Sequence, residues 1–167
     1  MAAEGTPRLL PFTSVQERRD SSVWTRIHPI FAIGQLGVFL VSVALLVLYA
    51  VHLVPFAAVY LSVLLKIVFM IGAIVTGSLW EHDVFGEWWF AEEFFVEDVM
   101  TVNVFLLHVG VVVMFFTMPG QLGAVAGLLA FAYVIYSINV AQYILQHASG
   151  RKPVADAAAA VKSDVAA

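Results

Sequence analysis

The 167-residue chain contains no cysteine, and only 12% of its residues are charged. The first absence excludes disulfides, thiolate metal sites and a cysteine nucleophile, and it leaves the redox compartment open. The second, joined to an apolar content of 62% and a mean hydropathy of +0.93, excludes a soluble globular domain of this size and points to a membrane protein. Basic residues are scarce in the middle: Arg8, Arg18, Arg19 and Arg26 lie near the start, Arg151, Lys152 and Lys162 near the end, and Lys66 stands alone between them. That distribution offers no basic surface to a nucleic acid. The opening MAAEGTPRLLPFTSVQERRD has no apolar core of signal-peptide length, so no cleaved leader is expected. Neither HExxH nor ExxH spacing occurs, which removes the usual signature of a metal centre in a helical bundle.

What is present is a set of four apolar runs, at about residues 30–53, 56–80, 96–118 and 121–145. Each is close to the roughly 20 residues that a bilayer-spanning helix needs. A break at His52 to Pro55 separates the first two, since proline suits a helix start and resists a helix interior. Pro119-Gly120 leaves room only for a tight antiparallel turn. These features predict an all-α fold, an integral membrane four-helix bundle. Residues 1–29 form an N-terminal tail with a short interfacial helix capped near Ser21 or Ser22, residues 30–147 the four-span domain, and residues 148–167 a mobile C-terminal tail. Small-residue pairs at Ala73/Gly77 and Gly123/Gly127 predict close helix approach. The basic tails predict that both termini are cytoplasmic, and Lys66, in the outer half, is expected to snorkel or to pair with a carbonyl.

One stretch departs from the lipid pattern: Thr76 to His108, reading TGSLWEHDVFGEWWFAEEFFVEDVMTVNVFLLH. It holds seven of the twelve acidic residues (Glu81, Asp83, Glu87, Glu92, Glu93, Glu97, Asp98), three of the four Trp, and no Lys or Arg. An aromatic belt at the membrane interface, with solvated acids beside it, is one account of that composition. The other is an apolar pocket with carboxyl groups in its wall, where burial beside like charge favours the protonated form of an acid. Other polar residues converge at the same cytoplasmic depth: Gln35, Asn103, Asn139 and Gln142. Glu97 and His108 share a helix face to within about 20° but stand about 16 Å apart along the axis, so a large flat ligand can span them where a direct hydrogen bond cannot. Glu92-Glu93 and Glu97-Asp98 are chain neighbours pointing about 100° apart, and adjacency alone makes neither a working pair. Tyr136, Asn139 and Tyr143 fall within about 60° of one another, either as a packing seam or as a wall able to stack and hydrogen-bond. The outer half offers only Lys66 and His52 as ionisable groups, which argues against a proton-coupled carrier.

Five blocks carry a resemblance: ERRDSSVWT (Glu17 to Thr25), TGSLWEHDVFG (Thr76 to Gly86), WFAEEFFVEDV (Trp89 to Val99), LLH (Leu106 to His108) and YVIYSINVAQY (Tyr133 to Tyr143). In matching order over about residues 16–146, they resemble the 3-vinyl bacteriochlorophyllide hydratases, small membrane enzymes of bacteriochlorophyll synthesis. The resemblance implies a lyase of the hydratase type that adds water across the C-3 vinyl of a chlorophyllide or bacteriochlorophyllide to give 1-hydroxyethyl. It implies no organic cofactor and no metal held by the protein, the substrate carrying its own magnesium. Chemically, a vinyl conjugated to the macrocycle accepts a proton on its terminal carbon and leaves a delocalised cation, which calls for an acid, a negative field and an aimed water. On this reading Glu97 or Asp98 is the acid, Glu81 activates water, and His108 or Asn139 orients the macrocycle or its magnesium. Trp80, Trp88, Trp89, Phe94 and Phe95 wall the flat ring, with Tyr136 beside Asn139. The implied partners are the tetrapyrrole, the bilayer, and either a second copy or other pigment-synthesis enzymes. The implied location is the inner membrane of a phototrophic bacterium, with the site facing the cytoplasm. A non-enzymatic pigment-binding or assembly subunit would use the same aromatic pocket and a His ligand, but it would need no protonatable acid.

Overall fold

The computed structural model describes residues 15–92 and 94–148, with side chains as far as Leu145. Among these residues there are five helices and no strand: α1 (Val15–Ser21), α2 (Trp24–Ala50), α3 (Phe56–Phe85), α4 (Phe95–Thr117) and α5 (Leu122–Ala148). Glu93 and the tail after Ala148, where the mobile segment is expected, lie outside the described residues. The last four helices are long and apolar enough to cross a membrane. Their outward residues, among them Ile33, Leu40, Leu61, Val68, Phe116 and Leu145, are exposed. Such a surface is costly in water and ordinary against lipid.

The bounds differ from the sequence expectation where helix physics overrides the apolar pattern. α2 begins at Trp24, before Pro29 rather than after it, because a proline near a helix start forfeits little hydrogen bonding. α3 runs past Trp80 by more than a turn and stops at Gly86, whose φ of +84° lets its N–H reach the His82 carbonyl at 3.0 Å. Glycine takes that left-handed conformation without the Cβ clash that other residues meet. The extension carries Glu81 as a helical residue.

α2 packs along α3 and α4 along α5, while α3 also meets α4 and α2 meets α5, closing a four-membered ring of helices. The α2–α3 seam is an interlock of glycines and rings. A Cβ on Gly34 would stand 2.2 Å from Cε1 of Phe69, and one on Gly72 would stand 2.2 Å from Cδ1 of Phe31. The close approach expected at Gly123 and Gly127 is not found, since a Cβ at either would meet nothing within 4 Å. Both glycines face outward, on the side of α5 opposite the buried Val125 and Leu129.

Two buried zones follow along the bundle. In one, Phe56, Val59, Val63, Val111, Val125, Leu129 and Tyr133 form an apolar cluster. Within it the hydroxyls of Ser42, Ser62 and Tyr133 hydrogen-bond to one another. Lys66 belongs to this interior and does not snorkel: it is fully buried, its Nζ 3.5 Å from the Tyr136 ring centroid and 5.3 Å from that of Phe39. The cause is its register, since positions 59, 63, 66 and 70 recur at helical spacing and share the inward face. The second zone, around Met70, Val104 and Tyr136, adjoins a cavity at the end of the bundle that bears the start of α2 and the end of α5.

Candidate active site

The cavity has a volume of about 670 Å³ and draws its wall from the start of α2, the end of α3, the start of α4 and the end of α5, with α1 across its rim. It lies within the roughly 300–1,000 Å³ typical of pockets for cofactor-sized ligands. Its most polar feature is a pair of acids on different helices. The carboxyl groups of Glu81 on α3 and Asp98 on α4 lie within reach of each other, close enough to share a proton. An acid-to-acid hydrogen bond needs a proton on one partner, because a carboxylate only accepts. The pair is locked by the loop between α3 and α4, where the Phe90 N–H donates to Asp98 Oδ2 at 2.9 Å and the Ala91 N–H to Glu81 Oε2 at 3.2 Å. Phe90 holds a φ of +59°, a conformation costly for an aromatic residue, and Ala91 beside it is buried. Strain of this kind persists where surrounding contacts fix the backbone, here the two bonds to the acids.

Around the pair the wall is aromatic. Trp80 meets Phe94 edge-on at 5.5 Å and Phe85 at 5.8 Å, and Trp89 also lines the cavity. On the opposite side stand Tyr136 and Gln35, both buried and both lining the cavity. Asn139 and Glu97 complete that rim, with Tyr143 within electrostatic reach of Glu97. His28 contributes from α2, its Nδ1 3.1 Å from Thr76 Oγ1, which itself donates to the Gly72 carbonyl at 2.7 Å. With that hydroxyl proton committed, Nδ1 is the donor in this contact.

Of the residues singled out in the sequence, the cavity therefore gathers Glu81, Glu97, Asp98, Tyr136, Asn139, Trp80, Trp89 and Phe94. Three stand elsewhere. Trp88 is exposed and stacks on His82 with centroids 4.0 Å apart. Phe95 is exposed and packs on Phe90. His108 is fully buried in the sealed part of the bundle, its Nδ1 2.7 Å from the Val104 carbonyl and its ring 5.6 Å from that of Tyr133.

The sequence matches the family described as 2-vinyl bacteriochlorophyllide hydratase (BCHF) over residues 12–149. The chain belongs to the 2-vinyl bacteriochlorophyllide hydratase family. It is similar to the 2-vinyl bacteriochlorophyllide hydratase of Cereibacter sphaeroides, with 38% identity over 127 residues, 76% of this chain and 79% of that protein. It is also similar to the protein of the same name from Rhodobacter capsulatus, with 36% identity over 128 residues, 76% of this chain and 74% of that protein. No solved structure matches it.

In this member of the hydratase family, the cavity also takes residues that composition did not single out: Arg19, Thr25, His28 and Ser78. The signal for the first two was the block ERRDSSVWT, which reads as a tail when only hydropathy is considered. The structure folds that block back onto the end of α3. Arg18 Nε donates to the Val84 carbonyl at 2.6 Å, Ser22 Oγ to Asp83 Oδ2 at 2.9 Å, and Trp80 Nε1 to Thr25 Oγ1 at 2.9 Å.

Proposed function

We propose that this protein hydrates the vinyl substituent of a bacteriochlorophyllide-type tetrapyrrole, giving the 1-hydroxyethyl group, with Glu81 and Asp98 as the acid–base pair. The observation that carries the reading is the acid pair in the wall of an aromatic cavity, joined to membership of a family named for this reaction. The position called 2 in the family name is C-3 in the current numbering of the macrocycle.

The steps balance with no oxidant or reductant. The protonated member of the pair delivers its proton to the terminal vinyl carbon, which becomes a methyl group as the C=C π bond breaks. The adjoining carbon is left as a cation delocalised over the ring. Water adds to that carbon, and the carboxylate just formed or its partner takes the water's proton, so the pair ends with the one proton it began with. The two acids titrate as a unit, and acid and base are roles the pair shares. Glu97 supplies further negative field, Asn139 and Tyr136 orient the ring edge, and Trp80, Trp89 and Phe94 hold its faces. The chain itself supplies no organic cofactor, and the magnesium is the substrate's. Basic residues clustered in the two tails support a site facing the cytoplasm across the inner membrane of a phototroph. An impermeant thiol reagent should then label a single cysteine at Gly120, but not one at Ala3 or Ala160, in intact cells.

Membranes containing the chain, given a 3-vinyl bacteriochlorophyllide in oxygen-18 water without nucleotide, flavin or oxygen, should yield product with the label on the hydroxyl next to the ring. In deuterium oxide, deuterium should appear on the new methyl. A need for oxygen or a reductant, or a 2-hydroxyethyl product, would remove the hydratase reading.

A further inference from the structure

Among the described residues, Arg19 is the only Arg or Lys in the wall of the cavity, which otherwise presents three acids, Glu81, Glu97 and Asp98, and His28. It is half-buried on α1, and its guanidinium lies 5.5 Å from the centroid of the Trp80 ring. Its backbone is fixed as well: the Arg19 carbonyl accepts from Thr25 Oγ1 at 2.6 Å, and that same Thr25 oxygen holds the indole N–H of Trp80 at 2.9 Å. Trp80 immediately precedes Glu81 in α3. The guanidinium, the Trp80 ring and the acid pair all line the one cavity. Glu97 and Tyr143 line the same cavity as Arg19, and both charges reach Tyr143 electrostatically.

A tetrapyrrole with the ending "-ide" carries a free propionate, and that propionate hangs from the ring next to the one that bears the vinyl group. A vinyl carbon at the Glu81–Asp98 pair thus leaves the propionate on the neighbouring side of the macrocycle. Without Arg19, a carboxylate brought to this wall would meet acids alone. We propose that Arg19 is the specificity residue for the substrate's propionate carboxylate, pairing with it through the planar guanidinium while Trp80 holds that plane in place. The proposal rests on the hydratase reading for the identity of the ligand. It makes α1 part of the substrate site, and it orders the chemistry: hydration precedes any esterification of the propionate, because an ester has no charge for Arg19 to bind.

The experiment compares a 3-vinyl bacteriochlorophyllide free acid with its methyl ester, using the full chain as wild type, Arg19→Gln and Arg19→Lys. Turnover is measured in membranes, and binding separately by quenching of tryptophan fluorescence. Wild type should have the lower KM for the acid. Arg19→Gln should raise the KM for the acid about thirtyfold, the size expected for loss of one partly desolvated charge pair. It should leave the KM for the ester and both kcat values close to wild type, and Arg19→Lys should fall between. Turnover of the ester is also the folding control for the variants. Equal KM values for acid and ester in wild type, or equal damage to both substrates in Arg19→Gln, would overturn the assignment. Failure of the hydratase reading looks different: no hydration of either compound by wild type, with quenching that still distinguishes acid from ester through Arg19.

Discussion

The bundle buries ionisable groups in two places, and they are built in opposite ways. At the α1 end, Glu81 and Asp98 lie within reach of each other and each accepts a backbone N–H, in the wall of a cavity of about 670 Å³. In the sealed interior, Lys66 Nζ and His108 Nε2 are buried with no hydrogen-bond partner among the described residues, and neither residue lines that cavity. Ionisable groups inside membrane spans are read as functional by default. The contrast shows that burial is the weaker half of that rule. What separates a site from a cost of folding is access for a ligand together with polar partners that hold the group in one geometry.

The largest expected effect lies at the acid pair. Asp98→Asn and Glu81→Gln keep shape and volume but remove the shared proton, so each should lower kcat by about a hundredfold or more, the usual worth of a general acid or base. Thermal stability in detergent should change little, because an amide can still accept the loop N–H groups. Near-normal rates in both variants would leave the acid end as inert as the sealed one, and the contrast would fail.

The helix seam between the two zones comes next. Gly72→Leu drives a side chain into Phe31 and should cost about 1–3 kcal/mol by overpacking, seen as a lower melting temperature and loss of turnover together. Gly127→Leu adds its side chain to open space and should leave both unchanged. Instability of the second variant would instead mean that a second copy covers that face of α5.

These differences also show what the residues alone could tell. Four spans, their order and the acidic-aromatic end were readable because hydropathy and composition act within a segment. The pairing of Glu81 with Asp98 was not, since it joins α3 to α4 and depends on Phe90 adopting a left-handed backbone. Adjacency excluded Glu97-Asp98 as an automatic pair, since the two leave their helix in different directions, but it could not say that Asp98 is the one that meets Glu81. Of the two pairs of small residues, Gly77 does stand against His28 of α2, whereas Gly123 and Gly127 meet nothing, because a GxxxG spacing does not say which face is turned inward. Trp88 and Phe95 share the composition of the cavity wall, but they stand outside it for the same reason.

The smallest effect, and the sharpest test of the contrast, is expected at Lys66. Removing one member of a buried ion pair is costly because it strands the other, but among the described residues Lys66 has no hydrogen-bonded acid partner to strand, and its Nζ lies over the rings of Tyr136 and Phe39. Cation–π attraction returns about 2 kcal/mol when desolvated, against a penalty of several kcal/mol for burying an ammonium group. Lys66→Met keeps the length of the side chain and its packing while removing the charge. The variant should therefore be as stable as wild type or more stable by about 1 kcal/mol, in keeping with the exchange of buried ions for apolar residues of similar volume. Turnover should stay within about threefold, a shift of less than 1 kcal/mol, since Lys66 does not line the cavity that holds the acid pair. A hundredfold loss of turnover with the fold intact would show that the sealed zone communicates with the acid pair through the Tyr136 ring, and the two regions would then be one site.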